Sequence, residues 1–331
     1  MNQHTFTINS AERSLCICLT PLHVLIAQRV AELHGIVFDM GVYASAVNDT
    51  RQQHYFNAMR GFCKRTAFEL LPPEPTQRGL MKYVGLLQLR RRMVARFARF
   101  GRFDVVLSAC SISHHLWALL TASRPQRLFT YDDGLLNIQT DARHYRKTTT
   151  GRQRLLLRLG GIRYFTERLL TDSLRHFTIY DHANWFARTH RIELLATQQD
   201  LLAPAQRTPS QVLKIFVGPS PEQVDEVRPA MLNYCSANPD ALVVQHPRLP
   251  TSTIPSAAAL QSHLVLEDHV QQLLQSDPLL AIEITGVESS ALVNLAGLPR
   301  VRVFTLLPPT PAHASRLEFL RQFGIQPYAR T

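Results

Sequence analysis

The chain has 331 residues, 45% of them hydrophobic and 18% charged. That is enough for one large or two ordinary domains, and too apolar for a disordered chain. Lysine plus arginine number 36 against 25 for aspartate plus glutamate, a net charge of +11 with histidines neutral. This favours polyanionic neighbours such as nucleic acid, anionic lipid or negatively charged substrates without choosing among them. The five cysteines are odd in number and form no CxxC pair, which argues against a disulfide framework and a zinc ribbon.

The polar first fourteen residues carry no basic stretch leading into an apolar core, so no secretory signal is read there. No run approaches the ~20 apolar residues that span a bilayer. The expected location is the cytoplasm, with peripheral contact at the anionic inner face of the membrane open to the basic residues. Residues 15–19 (LCICL) read as a buried strand that ends at Thr20-Pro21. Leu22, Leu25, Ile26, Val30 and Leu33 then recur at helical spacing. A strand at 36–43, a helix at 51–61 and strands at 104–107 and 128–131 follow. Residues 151–200 are richer in arginine and helix formers. The segment 201–211, with two prolines among Gln, Thr and Ser, reads as an exposed connection. Alternation then restarts with a strand at 212–217, a helix at 222–236, and strands at 241–245, 282–285 and 301–306.

Strands separated by helices imply βαβ units and mostly parallel sheets. The expected architecture is α/β, two Rossmann-like lobes with an interlobe cleft, divided as 1–205 and 206–331. In such sheets ligands bind beyond the carboxyl ends of the strands.

Four short patterns stand at predicted strand exits. Tyr131-Asp132-Asp133-Gly134 presents two carboxylates, either a solvated turn or a base able to take a hydroxyl proton. Gly218-Pro219-Ser220-Pro221-Glu222 is a tight strand-to-helix turn, with Glu222 either a dipole-favoured first-turn acid or a second functional carboxylate. His246-Pro247-Arg248 follows a buried strand, where an imidazole hydrogen-bonds or protonates a phosphate, or is an ordinary loop histidine among fourteen. Glu288-Ser289-Ser290 is either an anion site or a plain serine N-cap. The basic run Arg90-Arg91-Arg92 with Arg96, Arg99 and Arg102 reads as a solvated helix face or as a contact for an anionic acceptor or lipid. No RNP pattern, zinc finger or helix-turn-helix signal is present, so no nucleic-acid partner is expected.

The ordered set CLTPLHVLIA (18–27), YDDGLLNI (131–138), LKIFVGPSPE (213–222), VVQHPR (243–248), LVLED (264–268) and ESSALVNLAGLPRVRVFTL (288–306) resembles bacterial sialyltransferases, most closely glycosyltransferase family 52. The Asp-Asp-Gly, His-Pro and Ser-Ser combination is shared more loosely with other bacterial sialyl- and polysialyltransferases. The resemblance implies a GT-B type fold with an acceptor-side first lobe and a CMP-binding second lobe. It implies inverting transfer of sialic acid from CMP-sialic acid to a galactose-type hydroxyl of a lipopolysaccharide or capsular glycan, with no metal and no cofactor. His246 then handles the CMP phosphate. Asp132 or Glu222 is the base. Asp133, Gly134, Gly218, Ser220, Pro247, Arg248, Glu267, Ser289 and Ser290 contact substrate. In GPSPE a glutamate and one inserted residue depart from the family's aspartate, and Ser-Ser replaces Ser-Gly. Partners are the CMP-sugar donor and a glycan or glycolipid acceptor. Family relatives include homodimers, but no self-complementary surface is legible here. A transferase for another nucleotide sugar, or an inactive basic binding protein, is the competing reading.

Overall fold

The computed structural model describes residues 6–73, 79–111, 113–139, 150–194, 211–245, 259–260 and 262–329. The chain divides into two compact units, Met1–Leu194 and Leu195–Thr331. The junction expected near 205, together with His246, Pro247 and Arg248, lies outside the described residues.

Unit 1 is built on a seven-stranded, wholly parallel sheet. Its strands are β1 (Ser14–Cys18), β2 (Met40–Ser45), β3 (Thr66–Leu70), β4 (Val105–Ala109), β5 (Arg127–Tyr131), β6 (Ser173–Thr178) and β7 (Thr189–Arg191), in the order β3-β2-β1-β4-β5-β6-β7. The chain winds outward in both directions from β1 and β4, so the strand order reverses between them, where open α/β sheets hold their ligands. The helices are α1 (Pro21–His34), α2 (Thr50–Ala58), α3 (Gly79–Phe97), α4 (His114–Ser123), α5 (Gly151–Leu159) and α6 (Thr166–Asp172). Helix α1 shows how the sequence sets a boundary. Thr20 is extended and its side chain accepts the His23 N–H, Pro21 opens the first turn, and Gly35 closes the helix in the left-handed region at φ 60°. Val24, Ile26, Ala27 and Val30 are buried on one face, each large aliphatic contributing about 1.5–3 kcal/mol. Leu15 and Ile17 of β1, Val106 of β4, Phe97 of α3 and Trp117 of α4 share the main core.

Unit 2 carries a five-stranded parallel sheet of β8 (Gln211–Val217), β9 (Leu242–Val244), β10 (Leu280–Gly286), β11 (Val301–Thr305) and β12 (Gln326–Pro327), ordered β12-β11-β10-β8-β9. Its helices are α7 (Val224–Ala237), α8 (Leu266–Ser276), α9 (Ser290–Leu295) and α10 (Ala314–Arg321). Here the order reverses between β8 and β10. Phe216, Met231, Tyr234 and Val243 form one core cluster.

Two expectations need correction. The region 151–194, rich in helix formers, carries two helices as expected, but it also supplies β6 and β7, which were not expected. Arg175 and His176 interrupt the apolar pattern of SLRHFT, yet His176 is fully buried because both ring nitrogens have partners. Glu222 is not in a helical first turn: α7 begins at Val224, and Glu222 sits in the exposed turn before it. Among the described residues no helix is long and apolar enough to cross a membrane.

Candidate active site

The exit of β5 brings the two adjacent carboxylates to opposite environments. Asp132 is completely buried. It accepts the Ile179 N–H at 2.8 Å and meets His176 Nε2 at 2.8 Å. His176 in turn bonds Thr130 Oγ1 through Nδ1 at 2.9 Å and stacks on Phe186 at 3.9 Å. A buried carboxylate with these partners holds β5 to β6 and the loop beyond, and it meets no solvent from which a hydroxyl could approach.

Asp133 points the other way, with its side chain 16% exposed. Its Oδ1 lies 2.8 Å from His23 Nε2 in the first turn of α1. The Leu19 N–H donates to His23 Nδ1 at 3.1 Å, so the proton sits on Nε2 and is donated to Asp133. The Tyr131 ring meets the His23 ring edge-on at 5.7 Å, while the Tyr131 hydroxyl donates to Ile17 O at 2.6 Å. The Asp133 N–H donates to Asn137 Oδ1 at 2.8 Å. Gly134 follows with φ 102°, a conformation that costs an L side chain strain. Among the described residues nothing in the protein bonds the second carboxylate oxygen of Asp133. The arrangement is a carboxylate fixed at one oxygen and open at the other, which suits proton abstraction.

In unit 2 the Gly218 and Ser289 segments leave the sheet at its point of reversal. Gly218 N–H donates to Val244 O at 2.9 Å, extending the β8–β9 pairing past Val217. Ser220 N–H donates to Gln223 Oε1 at 3.0 Å, which fixes the turn carrying Glu222. A Cβ on Gly286 would lie 3.1 Å from Val217 Cβ and 3.2 Å from Val217 O, so a glycine lets the ends of β8 and β10 approach. Ser289 Oγ accepts the Leu292 N–H and caps α9, and Ser290 is that helix's first residue. Both serines are half-buried.

Glu267 is placed differently from a substrate contact. It is 5% exposed, and its Oε1 accepts from Asn294 Nδ2 at 2.9 Å, joining α8 to α9. Burial raises its pKa, opposed by the Asn294 hydrogen bond. Sequence reasoning missed His23 and His176. The signal for His23 was its place three residues into a helix opened by Thr-Pro, directly behind a strand exit. Among the described residues no group of three or more His, Cys, Asp and Glu side chains has metal-binding geometry.

The fold uses part of the basic run in and just after α3. Arg96 and Arg99 pair with the buried Glu69 of β3, and Arg91 Nε donates to Leu159 O at 2.9 Å.

Two Rossmann-like units with polar groups at their strand exits define an α/β protein of the GT-B class. The family model of glycosyltransferase family 52 matches residues 40–310, and the chain belongs to that family. It is 26% identical over 266 residues to the CMP-N-acetylneuraminate:beta-galactoside alpha-2,3-sialyltransferase of Pasteurella multocida, covering 80% of this chain and 82% of that one. It is 25% identical over 292 residues to the N-acetyllactosaminide alpha-2,3-sialyltransferase of Haemophilus influenzae, covering 88% and 90%. In fold it is similar to the UDP-GlcNAc 2-epimerase of Neisseria meningitidis bound to UDP-GlcNAc, with a TM-score of 0.52, 12% identity, and coverage of 92% of this chain and 85% of that one.

Proposed function

We propose that this chain transfers sialic acid from CMP-sialic acid to a galactose-type hydroxyl of a lipopolysaccharide or capsular glycan, with inversion and without a metal, in the cytoplasm. Family membership and the two sialyltransferase relatives support the donor and the reaction type. The observation that carries the mechanism is the carboxylate of Asp133, fixed by His23 at a strand exit of unit 1.

In this reading Asp133 takes the proton of the acceptor hydroxyl as its oxygen forms the new bond to the anomeric carbon. The bond from that carbon to the CMP phosphate oxygen breaks, and CMP leaves with the electron pair. Charge develops on the phosphate, where hydrogen bonds and positive charge stabilise it. That task falls to unit 2, to His246 with Pro247 and Arg248, to Gly218 and Ser220, and to Ser289 and Ser290. Asp132 holds the strand exit from beneath, and Gly134 supplies the turn. Glu222, exposed in the turn after β8, is the second candidate base.

Thermal unfolding with nucleotide tests the donor. A ligand present at about 100 times its Kd adds about 2.7 kcal/mol to stability. CMP is expected to raise the melting temperature while UDP leaves it in place. A rise with UDP and none with CMP would assign the chain to another nucleotide sugar. Silence from both would favour a binding protein without transferase activity.

A further inference from the structure

Unit 1 holds a cavity of about 850 Å³ lined by five arginines, Arg124, Arg154, Arg158, Arg163 and Arg168, with Glu167 as its one carboxylate. Helix α4 runs back from the strand exits, so Arg124 just past its end lies toward the start of β5, away from Asp133 at that strand's exit. Arg154 is held by Glu167 at 3.1 Å and Arg168 by Asp172 at 3.4 Å. Arg124, Arg158 and Arg163 make no ion pair among the described residues, and all three are exposed. The fold therefore gathers three unneutralised guanidinium groups at one concavity whose apolar lining includes Val94, Ile162 and Phe165. Arginine's fork of donors matches phosphate oxygens, and converging positive charge raises the local potential for an anion.

Beside the arginines α5 carries a second feature. Leu155 and Leu159, one turn apart and each following an arginine of the cavity, are 58% and 48% exposed. Residues at this spacing share a stripe of the helix. A soluble phosphate compound would use the arginines and gain nothing from the leucines. A lipid surface uses both, since its headgroups meet the charges while exposed apolar side chains enter the acyl boundary.

We propose that the arginine cavity and the Leu155–Leu159 stripe form a docking site for the phosphate headgroups of an anionic lipid surface. The proposal does not depend on which sugar is transferred. It also places the lipid contact on the α5–α6 region, where exposed leucines stand beside the charges, while in the basic run Arg96 and Arg99 are already paired with Glu69.

The test is co-sedimentation of the full chain with vesicles of phosphatidylglycerol and phosphatidylcholine, or of phosphatidylcholine alone. The wild type should bind only the anionic vesicles. Arg124→Gln, Arg158→Gln and Arg163→Gln together should weaken that binding on the order of a hundredfold, at the usual contribution of a basic residue near such a surface. Leu155→Ser with Leu159→Ser should weaken it as well, while leaving unchanged the protection against thermal unfolding that inorganic pyrophosphate gives by binding the arginines. A control with equal charge loss elsewhere, Arg60→Gln, Arg65→Gln and Arg228→Gln, should bind nearly as the wild type does. Sialylation of soluble lactose should be the same in all of these variants, so failure of the catalytic reading shows separately. Three results would each overturn the proposal: no binding of anionic vesicles by the wild type, equal loss in the control, or wild-type vesicle binding by the leucine variant. The last, with pyrophosphate protection lost in the arginine variant, would make the cavity a site for a free phosphate compound.

Discussion

His23 and Asp133 lie 110 residues apart in the chain and 2.8 Å apart at the exits of β1 and β5. The Leu19 N–H occupies Nδ1 of the imidazole, so Nε2 carries the proton toward the carboxylate. The histidine therefore fixes the carboxylate and keeps it an acceptor, and the carboxylate is left to do the chemistry.

Asp133→Asn should lower turnover by roughly 10²–10⁴-fold, the usual worth of a general base, with the melting temperature unchanged. His23 acts through Asp133 and should divide between substitutions. His23→Leu should lower kcat tenfold to about a hundredfold, the worth of a hydrogen bond to a charged group, with KM for CMP-sialic acid unchanged. His23→Gln, whose amide N–H still donates, should recover part of that loss. Steady-state kinetics on the three variants checks this, and a rise in KM alone would make His23 a donor-binding residue.

Asp132→Asn should behave in the opposite sense. The side chain is buried against His176 Nε2 and the Ile179 N–H, and an amide cannot accept from both without turning a donor toward a donor. A loss of about 1–3 kcal/mol of stability is expected, measured by denaturant unfolding, with activity falling only as the folded fraction does. Normal stability with lost turnover would return the role of base to Asp132.

Gly286→Ala puts a methyl group 3.1 Å from Val217 Cβ and 3.2 Å from a backbone carbonyl. Neither is the free end of a flexible chain. Overpacking of this kind costs about 1–3 kcal/mol, and it pushes apart the strand ends that carry Gly218 and Ser289. Lower stability together with weaker CMP binding is expected, the second read by calorimetry.

Glu267 provides a pH test. Burial raises its pKa in the folded state, so the folded chain holds that proton more tightly than the unfolded chain does. Stability from this group is complete below the ordinary glutamate range and is lost as pH rises through the raised value. Glu267→Gln keeps an acceptor for Asn294 and removes the charge. It should melt with the wild type at acid pH and above it at pH 8. Parallel pH–stability curves for the two proteins would contradict the assignment.

The alternation of strands and helices was legible because its apolar runs were local: LCICL closed by Thr-Pro became β1 and α1 with their boundary in place. The pair Asp132-Asp133 was legible as a strand exit. Which of the two faces outward was not, because neighbouring residues at a strand end face opposite ways and the buried side is chosen by His176, 44 residues later. β6 was hidden by that same histidine, whose burial depends on partners no local pattern contains. Arg96 and Arg99 likewise reveal their role only through Glu69, brought beside them by the sheet order.

The most direct measurement is release of CMP from CMP-sialic acid with lactose as acceptor, for the wild type beside Asp133→Asn, Glu222→Gln and His246→Ala. The wild type should release CMP in an acceptor-dependent manner, Asp133→Asn and His246→Ala should lose that release, and Glu222→Gln should keep it near normal. No release by the wild type, or release that survives Asp133→Asn and disappears in Glu222→Gln, would contradict the proposed mechanism.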